Sequence, residues 1–212
     1  MSVIILPTAY LGPISYYQLL VNAPVVIEQH ASYVKQTYAN RCHIATANGM
    51  ESLTIPVEHN SGKVTIRDVK ISEHSNWQTL HWRTIETAYN STPFFDYYKE
   101  DLQSFFEQKF TFLLDFNLQI QSTILDLLGF DATITLSESY KKAYQSDEID
   151  LREVLHPKKK EVSLDVQFEH QNYYQVFNHK FGFLPNLSII DLLFNMGNES
   201  RLILKNIKDG NN

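Results

Sequence analysis

The sequence predicts an α+β fold (mixed α/β), in which a mixed sheet with an N-terminal βαβ unit and a hairpin precedes a mainly helical C-terminal half. Apolar runs at residues 3–6 and 25–27 flank a helical pattern, and this order predicts a parallel strand pair. Asn48-Gly49 lies between two strand-like runs, and both residues tolerate the positive φ of a hairpin turn. After about residue 74, apolar residues recur at the spacing of amphipathic helices.

The N-terminal half is expected to consist mainly of strands. Pro7 ends the first apolar run, and Pro13 suits the first turn of a helix, because the N–H that proline lacks would have no partner there. The hairpin strands are expected at residues 41–45 and 52–57. Further strands are expected around Val64, Ile66, Val69 and Ile71.

Four helices are expected in the rest of the chain. The first has one apolar face, made of Trp77, Leu80, His81, Ile85 and Ala88. The second carries Leu102, Phe105, Phe106, Phe110 and Leu113. The third covers residues 118–128 and ends at Gly129, and a strand is expected at 132–136. The most apolar helix is expected at 187–194 with Gly197 as its stop, before a last helix or strand at 201–207.

We expect a single domain over residues 1–212, since one core commonly extends to about 200–250 residues. Residues 137–172 are polar and charged and show no clear hydrophobic period. This pattern predicts a flexible segment near 137–169, with a short helix near Asp150–Leu155.

Composition disfavours several classes of function. Lys and Arg total 18 against 24 Asp and Glu, for a net charge of −6, so nucleic-acid binding is not expected. The single cysteine, Cys42, excludes an internal disulfide and is expected to be a buried core thiol. No run reaches the roughly 20 apolar residues of a membrane span, and the apolar run at residues 3–6 is too short for the signal peptide of an exported protein, so neither is expected. The expected location is therefore the cytoplasm.

No standard catalytic motif is present, so the candidate residues are weighed one by one. The histidines show no i, i+4 pair, and we expect no metal site. Ser188 and Asp191 have the spacing of a capping box, yet Asp191 is also a candidate functional acid. Asn195 lies one turn further on the same helix face. Two such residues on an apolar helix must be satisfied in the core or face a cleft.

Other candidate residues also have either a structural or a functional interpretation. His81 lies on an apolar helix face, where a histidine is either a satisfied core residue or a catalyst. Arg41, next to Asn40 at a strand end, is either exposed or holds an anion through two hydrogen bonds. Tyr10 belongs to a tyrosine-rich region that either fills the core or stacks on a sugar or base.

Several segments together resemble one known family, the WbqC-like family. The C-terminal part carries Gln171–Gln175, Phe181 and Leu184–Gly197, with Leu-Ser-Ile-Ile-Asp-Leu-Leu-Phe-Asn as the most specific run. Matching segments elsewhere are Pro7–Tyr17, Asn40-Arg41, Pro56-Val57, Trp77–Tyr89 and Pro93–Phe95. The resemblance covers most of residues 1–136 and 170–200. It is expected to fail at 137–169, where longer members carry a block with Gly, Ser and Tyr.

The resemblance implies a role in bacterial surface-polysaccharide assembly. Our leading hypothesis is a transferase that attaches an amino acid, such as glycine, to a nucleotide-activated amino sugar. The predicted catalytic residues are Asp191 and His81. The predicted substrate-binding residues are Tyr10, Asn40, Arg41, Gln175 and Asn195. No motif names a cofactor. The alternative is a non-catalytic small-molecule-binding or scaffold protein that retains the fold.

Overall fold

The computed structural model describes residues 2–58, 62–145, 147–158, 167–168, 171–205 and 207–208. Its strands are β1 (Val3–Pro7), β2 (Val25–Glu28), β3 (Arg41–Thr46), β4 (Gly49–Thr54), β5 (Ile134–Leu136), β6 (Glu148–Asp150), β7 (Gln167–Phe168) and β8 (Ile207–Lys208). Its α-helices are α1 (Ile14–Asn22), α2 (Trp77–Tyr89), α3 (Phe95–Glu107), α4 (Leu113–Leu127), α5 (Asn178–Phe181), α6 (Ile189–Met196) and α7 (Ser200–Lys205). Helices and strands are thus mixed along the chain, which confirms the predicted fold class.

The central sheet has the strand order β5-β2-β1-β6, and all three strand pairs are parallel. Strand β1 pairs with β2 across the helix α1, as the βαβ pattern predicted, with Ile4 opposite Val25. The chain then adds β5 outside β2 and returns to place β6 on the opposite side of β1. The order of strands therefore reverses beside β1, which makes this edge a topological switch point.

The predicted hairpin is confirmed as the antiparallel pair β3 and β4, in a two-stranded sheet of its own. Thr46 pairs with Gly49, and Gly49 has a φ of +111°. Cys42 and Ile44 alternate along β3 and are both buried, so one face of the hairpin joins the hydrophobic core. Cys42 is therefore the buried thiol that the sequence predicted, and burial raises its pKa.

Two elements differ from the predictions, and backbone hydrogen bonds account for both. Residues 66–68 form a short 3-10 helix where a strand was expected, and the amide of Val69 binds the carbonyl of Ile66. Helix α3 ends at Glu107, so Phe110 and Leu113 are not on it. The amide of Leu113 binds the Val69 carbonyl, and the amide of Ile71 binds the carbonyl of Thr111. These bonds hold residues 111–113 extended between α3 and α4.

The short helix predicted near Asp150–Leu155 is wrong. Residues 148–150 form β6, and a turn follows at 152–154. Strand β1 offers a free edge here: the amide of Val3 binds the Asp147 carbonyl, and the amide of Leu151 binds the carbonyl of Ile5. Part of the predicted flexible segment, residues 146, 159–166 and 169, lies outside the described residues, and its mobility stays a prediction.

The C-terminal helix α6 is confirmed at the predicted place. It ends at Gly197, whose φ of +52° and contact with the Phe94 ring explain the glycine, since an added Cβ would lie 2.5 Å from that ring. No helix in the described part of the chain is long and apolar enough to cross a membrane.

Candidate functional site

A cleft of about 860 Å³ opens at the carboxyl ends of the parallel strands. Ligands of open α/β sheets bind at this edge, beside the switch point, and the volume lies within the usual range for ligand pockets. We call it the switch-point cleft. Its lining includes Thr8 after β1, Glu28 and His30 at the end of β2, and Asp150 and Arg152 at the end of β6.

Glu28 organises the base of the switch-point cleft. Its carboxylate is almost fully buried, which requires compensating hydrogen bonds. One oxygen accepts from the backbone amides of His30 at 2.7 Å and Ala31 at 3.2 Å, and from the hydroxyl of Ser137 at 3.0 Å. The other oxygen accepts from the hydroxyl of Tyr144 at 3.1 Å. Glu28 thereby fixes the segments that follow β2 and β5 relative to each other.

Arg152 supplies the positive charge next to Glu28. Two of its nitrogens donate to the two carboxylate oxygens of Asp150 at 2.8 and 2.7 Å, and Nη1 lies 3.7 Å from Glu28. The guanidinium also lies over the rings of Tyr140 and Tyr144. Burial alone would raise the pKa of Asp150, but the hydrogen bonds from Arg152 outweigh it and lower that pKa. Burial and the bond to Glu28 raise the pKa of Tyr144 to about 12.

His30 is the histidine that this network holds in a defined tautomer. Its Nε2 atom lies 3.1 Å from the carbonyl oxygen of Ser137. A carbonyl oxygen only accepts, so Nε2 carries the hydrogen, and in the neutral ring Nδ1 keeps its lone pair. The described residues place no hydrogen-bond donor on Nδ1. His30 thus lines the cleft with one nitrogen fixed and the other available as a base.

Three of the predicted site residues lie together in a different place, inside the core. Asp191, Gln175 and Asn195 are buried, and we call them, with Tyr89 and Tyr173, the Asp191 cluster. The carboxylate of Asp191 accepts from the hydroxyls of Tyr89 at 2.8 Å and Tyr173 at 2.5 Å, and from the amide of Gln175 at 3.4 Å. Asn195 donates to the backbone carbonyl of Asp191. The cluster ties α6 to α2 and to the segment before α5.

The capping box predicted for Ser188 and Asp191 is wrong. Ser188 is the N-cap residue, but its hydroxyl donates to the carbonyl of Leu11 at 2.7 Å and makes no cap. The Asp191 side chain is engaged by the two tyrosines, so it does not reach back to the first turn. Its complete burial raises its pKa to about 6, although the three hydrogen bonds act in the opposite direction.

The other predicted residues are placed apart from the Asp191 cluster. The Nδ1 atom of His81 lies 2.9 Å from the hydroxyl of Tyr10, and burial lowers the pKa of His81 to about 4. His81 also lines a shallower hollow of about 460 Å³ beside α2. Asn40 is buried and donates to the carbonyl of Ile55. Arg41 donates to Thr54. No pocket among the described residues joins His81, Asn40 and Arg41 to the Asp191 cluster, and their roles toward a substrate stay predictions.

Comparison with known proteins identifies the family. The WbqC-like protein family matches residues 8–161. The chain belongs to the WbqC-like protein family. An uncharacterised protein of Mycobacterium tuberculosis, Rv1507c, is 26% identical over 200 residues, which cover 82% of this chain and 84% of that protein. No solved structure matches the chain.

The family match covers a different part of the chain from the expected resemblance. It runs through residues 137–161, where we expected the resemblance to fail, and it ends before α6. The matched part of this WbqC-like chain therefore includes the strands β2, β5 and β6 of the central sheet and most of the residues that line the switch-point cleft, whereas β1 lies just before it.

Sequence reasoning missed the residues of the cleft, although one signal was present. Glu28 and His30 directly follow the second strand of a predicted βαβ unit, which is the position where α/β proteins bind ligands. Ser137 follows β5 in the same way. Arg152 could not be found, because β6 itself was not predicted. No group of three or more metal-ligating side chains occurs in the described ranges.

Proposed function

We propose that this WbqC-like protein is a transferase of bacterial surface-polysaccharide assembly, which binds a nucleotide-activated amino sugar in the switch-point cleft and attaches an amino acid to its amino group. The observation that carries the proposal is the position of His30. A histidine of fixed tautomer lines a ligand-sized cleft at the switch point of the sheet. Family membership supports the biological setting.

The reaction requires a base, and His30 is suited to it. The sugar nitrogen attacks the carbonyl carbon of an activated aminoacyl group, such as an ester, thioester or acyl phosphate. A C–N bond forms, and the activating group leaves with its electron pair. The amine loses one proton, which the Nδ1 atom of His30 takes. The Ser137 carbonyl then stabilises the resulting imidazolium through its bond to Nε2.

The charges that line the cleft suit a substrate with an anionic group. Lys63 and Lys142 line it and form no ion pair with a described carboxylate, so they are available to phosphate groups. The charge of Arg152, in contrast, is already matched by Asp150 and Glu28. Arg152 therefore shapes the site, whereas the two lysines attract an anion.

A thermal-shift screen and a transfer assay test the proposal. We expect a nucleotide-activated amino sugar to raise the melting temperature, because a ligand at a hundred times its Kd stabilises by about 2.7 kcal/mol. Mass spectrometry should then detect the aminoacylated sugar when an activated aminoacyl donor is added. Failure of every nucleotide sugar to shift the melting temperature contradicts the proposal.

The first prediction concerns His30→Gln. The glutamine amide can still donate to Ser137, but it cannot accept a proton, so binding should persist while turnover falls about 100-fold or more. His74→Gln is the matched control, because His74 is exposed and does not line the cleft. Equal turnover of the His30→Gln variant and the wild type would eliminate His30 as the base.

The non-catalytic alternative is favoured by one observation. The carboxylates of Glu28 and Asp150, the acids placed best for chemistry, already have strong hydrogen-bond partners. A binding protein would use the same cleft without His30 chemistry. A protein that binds the nucleotide sugar with no transfer from any activated donor would have this function.

A further inference from the structure

Thr8 is a polar residue of the cleft whose hydrogen-bonding direction is fixed by its neighbours. It is the first residue after β1, next to the switch point, and it lines the cleft although it is only 1% exposed. The side chain of Asn117, on α4, lies behind it. Its amide nitrogen is 2.8 Å from the carbonyl oxygen of Ala39 and 3.2 Å from the hydroxyl oxygen of Thr8.

The Ala39 carbonyl decides which way the Asn117 amide faces. A carbonyl oxygen only accepts, so the atom 2.8 Å from it must be the amide nitrogen and not the amide oxygen. Its second hydrogen then points to Thr8, whose oxygen accepts it. The amide oxygen of Asn117 is left buried with no donor in the described ranges, which is the cost of this orientation.

The hydroxyl hydrogen of Thr8 consequently has no acceptor among the residues that the structure describes. Thr8 forms one side-chain hydrogen bond to the described residues, and in that bond it is the acceptor. A nearly buried hydroxyl with an unused donor is costly, and such groups require an explanation. The cleft that Thr8 lines is the space in which an acceptor can reach it.

The N-terminus of α1, next to Thr8, does not offer a binding site for an anion. The N-terminus of α1 follows Thr8, but the amide of Ile14 binds the carbonyl of Leu187 and the amide of Ser15 binds the side chain of Asn186. These amides are therefore closed to a phosphate. Lys63 and Lys142, which line the same cleft, provide positive charge for an anion.

We infer that Thr8 donates its hydroxyl hydrogen to an oxygen of a diphosphate group bound at the floor of the switch-point cleft. The inference rests on the proposed function, since it places the diphosphate of the nucleotide-activated sugar in that cleft. Lys63 and Lys142 neutralise the charge, and Thr8 fixes the position of one oxygen.

Isothermal titration calorimetry with inorganic pyrophosphate, UDP and uridine tests the inference. Thr8→Val removes the hydroxyl at nearly constant shape, and we expect it to weaken pyrophosphate and UDP about 10- to 100-fold, as for a hydrogen bond to a charged group. Thr8→Ser should restore most of the affinity. Uridine should bind both forms equally, because it lacks the phosphates.

Tyr33→Phe is the matched control. Its hydroxyl is buried and has no hydrogen-bond partner in the described part of the chain, but Tyr33 does not line the cleft, so its removal should leave the affinities unchanged. Equal affinity of wild type and Thr8→Val for UDP and pyrophosphate overturns the inference and leaves the proposed function standing. Equal weakening of uridine also overturns it, since Thr8 would then contact the nucleoside. No binding of any nucleotide or nucleotide sugar to the wild type overturns both.

Discussion

The switch-point cleft and the Asp191 cluster are both built around a buried carboxylate, yet they differ in what remains unpaired. Glu28 and Asp191 each accept hydrogen bonds from three or more groups. Among the described pockets, the one that touches the Asp191 cluster, at Tyr173, has a volume of only about 10 Å³, and the donors to Asp191 belong to α2 and to the segment before α5. Near Glu28, the described residues leave the hydroxyl donor of Thr8 and the Nδ1 acceptor of His30 unused beside an open volume.

Burial of a polar residue does not by itself identify a functional site. Burial and hydrogen bonding alone mark both regions, because any buried polar group needs partners. Unused hydrogen-bonding capacity beside a cavity marks only the cleft. The Asp191 cluster is therefore expected to act on stability, and the cleft on both stability and ligand binding.

The largest effect is expected from Glu28→Ala. The change leaves two backbone amides, two hydroxyls and part of the Arg152 charge without their acceptor, so the free energy of unfolding should fall by about 3 kcal/mol. Urea unfolding measures this loss. Nucleotide-sugar binding should fall with it, and unchanged ligand affinity in the folded variant would break the link between Glu28 and the cleft.

Asp191→Asn should change how the free energy of unfolding depends on pH, but it should leave ligand affinity unaltered. Burial raises the pKa of Asp191 to about 6 from 3.8, so the folded state favours the protonated form. The stability that protonated Asp191 contributes to the folded state is fully present below about pH 4 and is lost as pH rises through 6. The stability of wild type relative to Asp191→Asn should therefore decline by up to about 3 kcal/mol between pH 4 and 7.

Urea midpoints at several pH values check this prediction, with nucleotide-sugar affinity measured in parallel. If the stability difference between wild type and Asp191→Asn does not depend on pH, the pKa of Asp191 is not raised in the folded state. A large loss of ligand affinity at constant stability would instead support the catalytic or binding role that the sequence predicted for Asp191.

The smallest effect is expected from Tyr10→Phe. The variant loses the bond to the Nδ1 atom of His81, which should lower the free energy of unfolding by about 1 kcal/mol at pH 7. Ligand affinity should not change, because both rings are buried away from the cleft. A loss of affinity without loss of stability would restore Tyr10 as a substrate contact.

The sequence predicted those parts of the fold that local patterns determine. The βαβ unit, the hairpin at Asn48-Gly49 and the helix before Gly197 each carry a local signal of spacing or turn chemistry. Strand β6 has only three residues in a polar segment, and it is a strand because β1 offers it a free edge. Such a pairing partner, about 145 residues away, leaves no periodicity in the local sequence.

The candidate site was harder to predict than the fold, for a related reason. Asp191, His81 and Asn40 stood out as polar residues in apolar surroundings, and the structure satisfies each of them with core partners. His30 and Thr8 are ordinary residues in sequence. They matter because of the Ser137 carbonyl and the Asn117 amide, which are about 107 and 109 residues away.

Hydrogen exchange with and without a bound ligand tests whether the ligand binds in the switch-point cleft. The ligand should be the nucleotide sugar that gives the largest thermal shift. We expect slower exchange in peptides covering residues 8–12, 28–32 and 137–145, where the segments after β1, β2 and β5 border the cleft. Slower exchange confined to residues 40–46 and 186–195, with unchanged exchange at the strand ends, would contradict it.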